Sequence, residues 1–466
     1  MNLLKQLKKQ VGPSKDYKFK EIVIDKQPLT LIFNETLTNS ITINDFLLRE
    51  LNKLSKKDLN SLETTIPNTN ILVIPEKSIM YYVNNGFLVI ITKHKIYATE
   101  LKIILDRGVT TIESELSITG PKDSFTENFN TNINLIRKRL KTTDLYCEDI
   151  IMGQSTKTKV GILYMNNIVN KKLPKQIIEK LKQIDIDGII DSSYLKRSLE
   201  NNNSLFPTIM LTERPDKSVM ALLEGKVIII TDMSPYALIL PSFFIDFFHT
   251  TDDYYQKSLN VSFIRLIRLA AFIIAVFTPA IYIVTTTRNY DLLSFDLLIM
   301  LKAGRSFVPF PAYIEAFFMI VCFEILKESD LRMSSTSGSA ISILGGLILG
   351  DAAVSAGIVS PIMIIVIAIS SIAGLIFSSV ELGNALRSYK ILLLVLASIL
   401  GIYGIIIGGL YMIYKLLTIK SFGYKYFTPF VPFDKNEIKD SIIKTTSYND
   451  KRNKILTNNI KRGKRI

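Results

Sequence analysis

The sequence has no tryptophan, two cysteines and two histidines among 466 residues. Lone Cys147 and Cys322 exclude a disulfide-stapled secreted fold and a zinc site built on cysteine pairs. His94 and His249 are too few for a histidine-rich metal centre. His249 follows Phe247-Phe248 at the edge of an apolar zone, where interfacial packing rather than catalysis is expected. There is no glycine fingerprint, phosphate loop or nucleophile elbow, so no catalytic residue, cofactor or metal is expected. Without tryptophan, an interfacial aromatic belt falls to Tyr403, Tyr411, Tyr414, Tyr424 and Tyr426. Charge is scarce in one place: from Met333 to Val380, a run of 48 residues, Asp351 is the single ionisable side chain.

The bulk composition, 48% hydrophobic and 21% charged with mean hydropathy +0.27, resembles a soluble protein only because it averages two unlike halves. Too much apolar surface is available for the chain to be disordered, and its length has room for about three domains. Half of the formal +14 lies in residues 435–466, where ten Lys/Arg face only Glu437, Asp440 and Asp450. Those bases have no interleaved aromatics and no nucleic-acid motif around them. Directly after an apolar span they read as a cytoplasmic membrane anchor, not a nucleic-acid arm. The basic start Met1-Asn-Leu-Leu-Lys-Gln-Leu-Lys-Lys runs into no apolar stretch, so a cleaved leader is not expected and the front domain is placed on the cytoplasmic side.

The expected fold is an α/β soluble N-terminal region of two subdomains followed by an α-helical multi-pass transmembrane bundle. The boundaries are 1–117, with a flexible start before about Lys20, then 118–247, a membrane domain 248–420 of four to six crossings, and a basic tail 421–466. In the first subdomain Ile71–Ile74, Gly86–Thr92 and Leu101–Leu105 read as strands or short buried elements. In the second, Ser124-Phe-Thr-Glu127 supplies a capping box for an amphipathic helix whose face is Phe125, Phe129, Ile133, Ile136 and Leu140. Its closing bases Arg137, Lys138, Arg139 and Lys141 read as dipole compensation and solvation. Strands at 159–165, 187–190, 208–211, 226–231 and 236–240 alternate with helices at 174–184, 194–199 and 216–223, which predicts a partly parallel sheet.

Apolar spans are predicted at 269–287, 310–326, 340–357, 358–380 and 391–417, with a shorter amphipathic piece at 291–301. Both ends prefer the same side, which calls for an even number of crossings. Gly346 and Gly350, like Gly404 and Gly408, are four apart, a spacing that lets helix backbones approach within one subunit or between subunits. Glu315, Glu324 and Asp351 lie within apolar stretches, where an unpaired charge costs at least a few kcal/mol. Glu315 and Glu324 are too far apart on the helix to share one face well. Asp351 either faces a water-filled path or a partner's cation, or it caps the break at Gly350; both readings stand.

Several ordered runs resemble the A subunit of bacterial spore germinant receptors, the GerA family. They include Asn130-Thr-Asn-Ile133, Thr212-Glu213-Arg214-Pro215-Asp216, Leu222-Leu-Glu-Gly225, Ser242-Phe-Phe-Ile-Asp-Phe-Phe248 and Asp253-Tyr-Tyr255. Val308-Pro-Phe-Pro-Ala312 with Glu315, and Ala356-Gly-Ile-Val-Ser-Pro-Ile362, continue the likeness to about residue 433. The resemblance implies a multi-pass subunit of the spore inner membrane, working with a permease-like B subunit and a lipoprotein C subunit. It further implies a homo-oligomeric ring that releases cations when a nutrient is sensed, with soluble domains facing the spore core. A non-conducting signalling or assembly scaffold of the same complex is the alternative.

Overall fold

The computed structural model describes residues 2–25, 27–38, 71–101, 115–200, 204–332, 350–377, 379–433 and 441–444, with isolated positions 43, 62, 346, 456 and 457. The first subdomain opens on helix α1 (Asn2–Val11) and strands β1 (Tyr17–Ile24) and β2 (Gln27–Asn34), so the stretch before Lys20 is built structure. Strand β3 (Ile71–Val73), helix α2 (Ile79–Asn84), β4 (Phe87–Ile91) and β5 (Ile96–Glu100) complete it. Strand β5 was not expected from the sequence, and the element expected at 101–105 lies outside the described residues except for Leu101. The sheet order is β1-β2-β4-β5-β3, with every pairing antiparallel. Period-two alternation sends Leu88 and Ile90 of β4 into one core and Val89 into the other. The second of these cores is closed by Leu7 and Val11 of α1 with Ile79 and Val83 of α2.

The second subdomain comprises helix α3 (Phe129–Arg139), β6 (Leu145–Met152), β7 (Thr158–Met165), α4 (Lys172–Gln183), α5 (Ser192–Leu199), β8 (Met210–Thr212), α6 (Pro215–Leu223), β9 (Val227–Thr231) and β10 (Ala237–Leu240). Its sheet runs β6-β7-β9-β10-β8, and every pair is antiparallel, which corrects the expected partly parallel sheet. Strand–helix alternation suggested crossovers, but β6–β7 and β9–β10 are adjacent hairpin partners and β6 is a strand the alternation did not reveal. Residues 187–190 form no strand; Asp187 accepts from Ser155 N at 2.8 Å in a loop. Helix α3 starts later than the capping-box reading placed it. Asn128 is the cap, accepting from Thr131 N at 3.0 Å, while Ser124 Oγ donates to the Glu213 carbonyl. Arg137 is not a solvated base either. It is 1% exposed and ion-paired to Asp16, with Nη1 donating to Tyr17 OH at 3.1 Å, and so joins the two subdomains.

A short helix α7 (Asp252–Tyr255) leads into α8 (Ser258–Thr287), whose 30 residues extend about 45 Å. After α9 (Phe295–Ala303) come α10 (Ala312–Arg332), α11 (Pro361–Leu375), α12 (Val380–Leu400) and α13 (Ile402–Thr418), then a two-residue hairpin pair β11 (Lys420–Ser421) and β12 (Tyr424–Lys425). Helices α8 and α12 are long and apolar enough to cross a membrane; α11 and α13 are shorter apolar helices. The segment read as one span at 391–417 is broken in two. Gly401 sits at φ +63 and ψ −137, a conformation that only glycine adopts readily, and α13 folds back against α12. The described part of the 340–357 span is a helical turn at 350–355 and the glycine position 346.

No seam separates the front domain from the helices. Phe206 stacks on Tyr389 of α12 with ring centroids 5.0 Å apart, and Phe244 and Phe248 meet Phe272 of α8 at 5.4 and 5.6 Å. One hydrophobic core therefore runs from Phe125 through Phe248 to Met412. A second cluster, including Ile283, Ala316, Val359 and Met363, fills the far end of the bundle. Residues such as Ile274 of α8, Phe317 of α10, Ile369 of α11 and Ile407 of α13 are left exposed, which gives the bundle an apolar exterior.

Candidate functional site

The run Thr212-Glu213-Arg214-Pro215-Asp216 ends β8 and begins α6, with Pro215 at the first helical position where its missing N–H costs nothing. Arg214 is fully buried and spends all five of its N–H donors. Nε and Nη2 grip the two Asp216 carboxylate oxygens at 3.0 and 2.7 Å. Nη1 reaches the Glu115 carbonyl at 3.1 Å and Ser117 Oγ at 2.7 Å, and Nη2 reaches the Pro121 carbonyl at 3.1 Å. Glu213 Oε1 accepts from Glu115 N at 2.8 Å, Thr212 Oγ1 donates to the Glu115 carboxylate, and Lys217 Nζ holds that same carboxylate at 2.6 Å. Tyr255 OH donates to Asp216 at 2.8 Å from the approach to the helices. Although burial opposes its ionisation, Asp216 is held below the usual carboxylate range by the bonds from Arg214 and Tyr255. The motif is thus a junction that ties the irregular segment 115–121 between subdomains to the second sheet and to the entry of α8. Its charged groups are spent on one another and on the backbone.

A second junction lies one turn away. Arg268 of α8 donates to both Asp253 oxygens at 2.7 and 3.0 Å and to the Phe248 carbonyl at 2.8 Å, while Arg265 Nε reaches Asp253 at 3.3 Å. Burial works against Asp253, yet the two arginines keep it well on the ionised side. The neutralised arginines explain why α8 begins before the apolar stretch that the sequence marked at Leu269. The described tail residues dock here. His249 Nε2 lies 2.7 Å from the Ser441 carbonyl, and Lys444 Nζ caps the carbonyls of Asp253 and Gln256 at 2.6 and 3.0 Å. Burial and the charge of Arg265 push the His249 pKa down to about 4. This places residues 441–444 on the same side of the bundle as the front domain.

The three carboxylates that the sequence sets in apolar stretches have three different fates. Glu315 is 1% exposed on α10 and fully engaged. One oxygen takes Arg305 at 2.8 Å and the other accepts from the backbone N–H of Ser360, the cap of α11, at 3.0 Å. Glu324 faces Arg387 of α12 at 3.1 Å. Asp351 is exposed on the helical turn at 350–355, and no hydrogen-bond or ion-pair partner meets it among the described residues. The glycines also divide. A Cβ on Gly404 would lie 2.1 Å from the Leu396 carbonyl oxygen, and one on Gly408 would lie 2.5 Å from Leu393 Cδ2, so both seat α13 against α12 of the same chain. At Gly346 and Gly350 no described atom lies within 4 Å of such a Cβ.

Sequence reasoning missed the partners. Nothing local pairs Arg305 with Glu315 or Arg268 with Asp253. A further basic set, Lys327, Arg387 and Lys390, escaped notice because it belongs to two helices that are far apart in the sequence. It borders a cavity of about 240 Å³ together with Glu324, Ser370 and Ser371. The only local signal was that α12 carries Glu381, Arg387 and Lys390 before turning wholly apolar at Ile391.

Comparison with known proteins adds the relationship. Residues 5–455 match the family described as Bacillus/Clostridium GerA spore germination protein. Spore germination protein KA of Bacillus subtilis (strain 168) is 33% identical over 459 residues, covering 96% of this chain and 84% of the relative. Spore germination protein GerQA of Bacillus cereus is 34% identical over 449 residues, with 95% and 89% covered. The crystal structure of the N-terminal domain of the A subunit of the Bacillus megaterium spore germinant receptor GerK3 is similar at 28% identity, with a TM-score of 0.40 over 52% of this chain and 94% of that one. The likeness extends from the first helix to the tail and over most of each relative, and the chain belongs to the GerA family of spore germination proteins.

Proposed function

We propose that this chain is the A subunit of a spore germinant receptor. In this reading it is a multi-pass protein of the spore inner membrane, with its front domain and tail on the core side. It assembles as a homo-oligomer into a nutrient-gated cation channel and works with a permease-like B subunit and a lipoprotein C subunit. Docking of residues 441–444 beside the front domain supports an even number of crossings. The continuous core and the two arginine junctions support relay, because movement of the front domain is transmitted to α8 and α12 without a flexible linker.

The observation that carries the channel reading is Asp351. A carboxylate exposed on an apolar bundle, with no partner of its own among the described residues, calls for water or a cation from another copy. Germination and cation release by spores carrying Asp351→Ala, Asp351→Asn or Asp351→Lys test it. Impaired release at normal protein abundance is expected, most severely for the lysine. Wild-type kinetics in all three remove Asp351 from the mechanism.

The scaffold alternative is favoured by one observation, that Glu315 is wholly consumed in holding α10, α11 and Arg305 together. Conductance of the purified chain in liposomes separates the readings, since a scaffold passes no current.

A further inference from the structure

We propose that the cavity between α10, α11 and α12 is a binding site for a phosphate ester, supplied by an anionic phospholipid headgroup of the leaflet that faces the front domain. Its charged walls are Glu324 and Lys327 of α10 with Arg387 and Lys390 of α12, three cations against one carboxylate. Glu324 already occupies one edge of Arg387 at 3.1 Å. Lys390 is only 7% exposed, yet it has no hydrogen-bond or ion-pair partner among the described residues. Lys327 likewise has none, and its Nζ stands 3.9 Å from where a Cβ on Gly383 would be. Glu324 is the one opposite charge that acts on Lys390, and it is already bound to Arg387, so a single carboxylate serves three cations. That excess of positive charge beside a largely buried ammonium is satisfied by an anion rather than by a metal or a zwitterion.

Depth and wall chemistry point to lipid as the source. Arg387 and Lys390 flank Tyr389, which stacks on Phe206 of the front domain, and from Ile391 onward α12 is apolar. The site therefore lies where the helices leave the front domain, at headgroup level. Phe323 and Leu375 line it on the bundle side, giving an acyl chain an apolar wall beside the basic pocket. Basic pockets between spanning helices at this level are the ordinary way that anionic headgroups are held.

The test uses the full chain in detergent, with thermal unfolding followed by circular dichroism. Phosphatidylglycerol, phosphatidylcholine or inorganic phosphate is added to wild type, Lys390→Met and Lys327→Met; the second variant serves if the first does not fold. Phosphatidylglycerol is expected to raise the wild-type transition while phosphatidylcholine does not. Either substitution loses that rise, and Lys390→Met unfolds above wild type in lipid-free detergent because one of three cations sharing a single carboxylate is gone. A rise with inorganic phosphate as well, also lost in the variants, assigns the same site to soluble phosphate esters. Equal rises with both lipids, no rise with any anion, or a full phosphatidylglycerol effect in both variants overturns the proposal. None of these readouts depends on conductance, so the channel reading stands or falls separately.

Discussion

Replacing Arg214 by methionine keeps most of the side-chain volume but removes all five hydrogen bonds that the guanidinium makes. Asp216 then keeps the Tyr255 hydroxyl and the Lys217 N–H while losing its counter-charge inside a closed site. Breaking a buried pair from one side costs about 3–5 kcal/mol. For a domain of this size that is a fall in the unfolding midpoint of roughly 6–20 °C. The sign of the pH dependence sharpens the test. In wild type the Asp216 pKa is lowered, so its contribution is present above the ordinary carboxylate value and lost as pH falls through the folded value. In Arg214→Met burial is opposed only by the Tyr255 and Lys217 hydrogen bonds, the Asp216 pKa moves up, and protonation relieves the defect. The deficit should therefore narrow as pH falls from neutral toward about 4. Because the chain has no tryptophan, circular dichroism of the full protein in detergent is the assay, with exposed Lys138→Met as control. A midpoint within about 2 °C of wild type, or a deficit independent of pH, would refute the account of the junction. Arg214→Met with Asp216→Leu should be milder than Arg214→Met alone, because no buried charge is left unpaired.

Other consequences are equally concrete. His249, with its pKa lowered to about 4, stays neutral in the fold while the unfolded chain takes a proton near 6.5. Its contribution is intact above about 6.5 and declines toward 4, by at most about 1.4 kcal/mol per pH unit, so His249→Gln should flatten the acid limb of the stability curve. An unchanged slope would show that the tail contact leaves this histidine open to protons. Gly404→Ala must push α13 off the Leu396 carbonyl and should destabilise by about 1–3 kcal/mol, whereas Gly350→Ala should be silent. Chymotryptic sensitivity of the two variants in membranes compares them directly, and equal resistance would overturn the assigned packing.

Local pattern accounts for what the sequence alone made legible. Hydrophobic periodicity marked α3, α6, β7 and β9, and a stretch nearly free of charge marked the bundle, because secondary structure and burial impose spacing on neighbouring residues. Ordered motifs, above all Thr212–Asp216 and Val308–Ala312, carried the family likeness. Some local signals misled. The basic end of α3 looked solvated although Arg137 is sealed against Asp16, and an unbroken apolar run at 391–417 concealed the reversal at Gly401. In each case the deciding contact comes from a distant part of the chain, or from one backbone angle that composition does not register.

Composition thus marked a charged α/β front joined to an apolar helical rear, with too few cysteines and histidines for a disulfide framework or a histidine-rich metal centre to be expected. Only the tertiary structure decided that both sheets are antiparallel, that Gly404 and Gly408 pack within one chain, and that Glu315 is a clamp while Asp351 is left open. The physical reason is range. Apolar burial is written into every residue's neighbours, but the free energy of a carboxylate in apolar surroundings depends on which arginine the fold brings to it. Glu315 finds Arg305, and Asp351 meets no partner among the described residues.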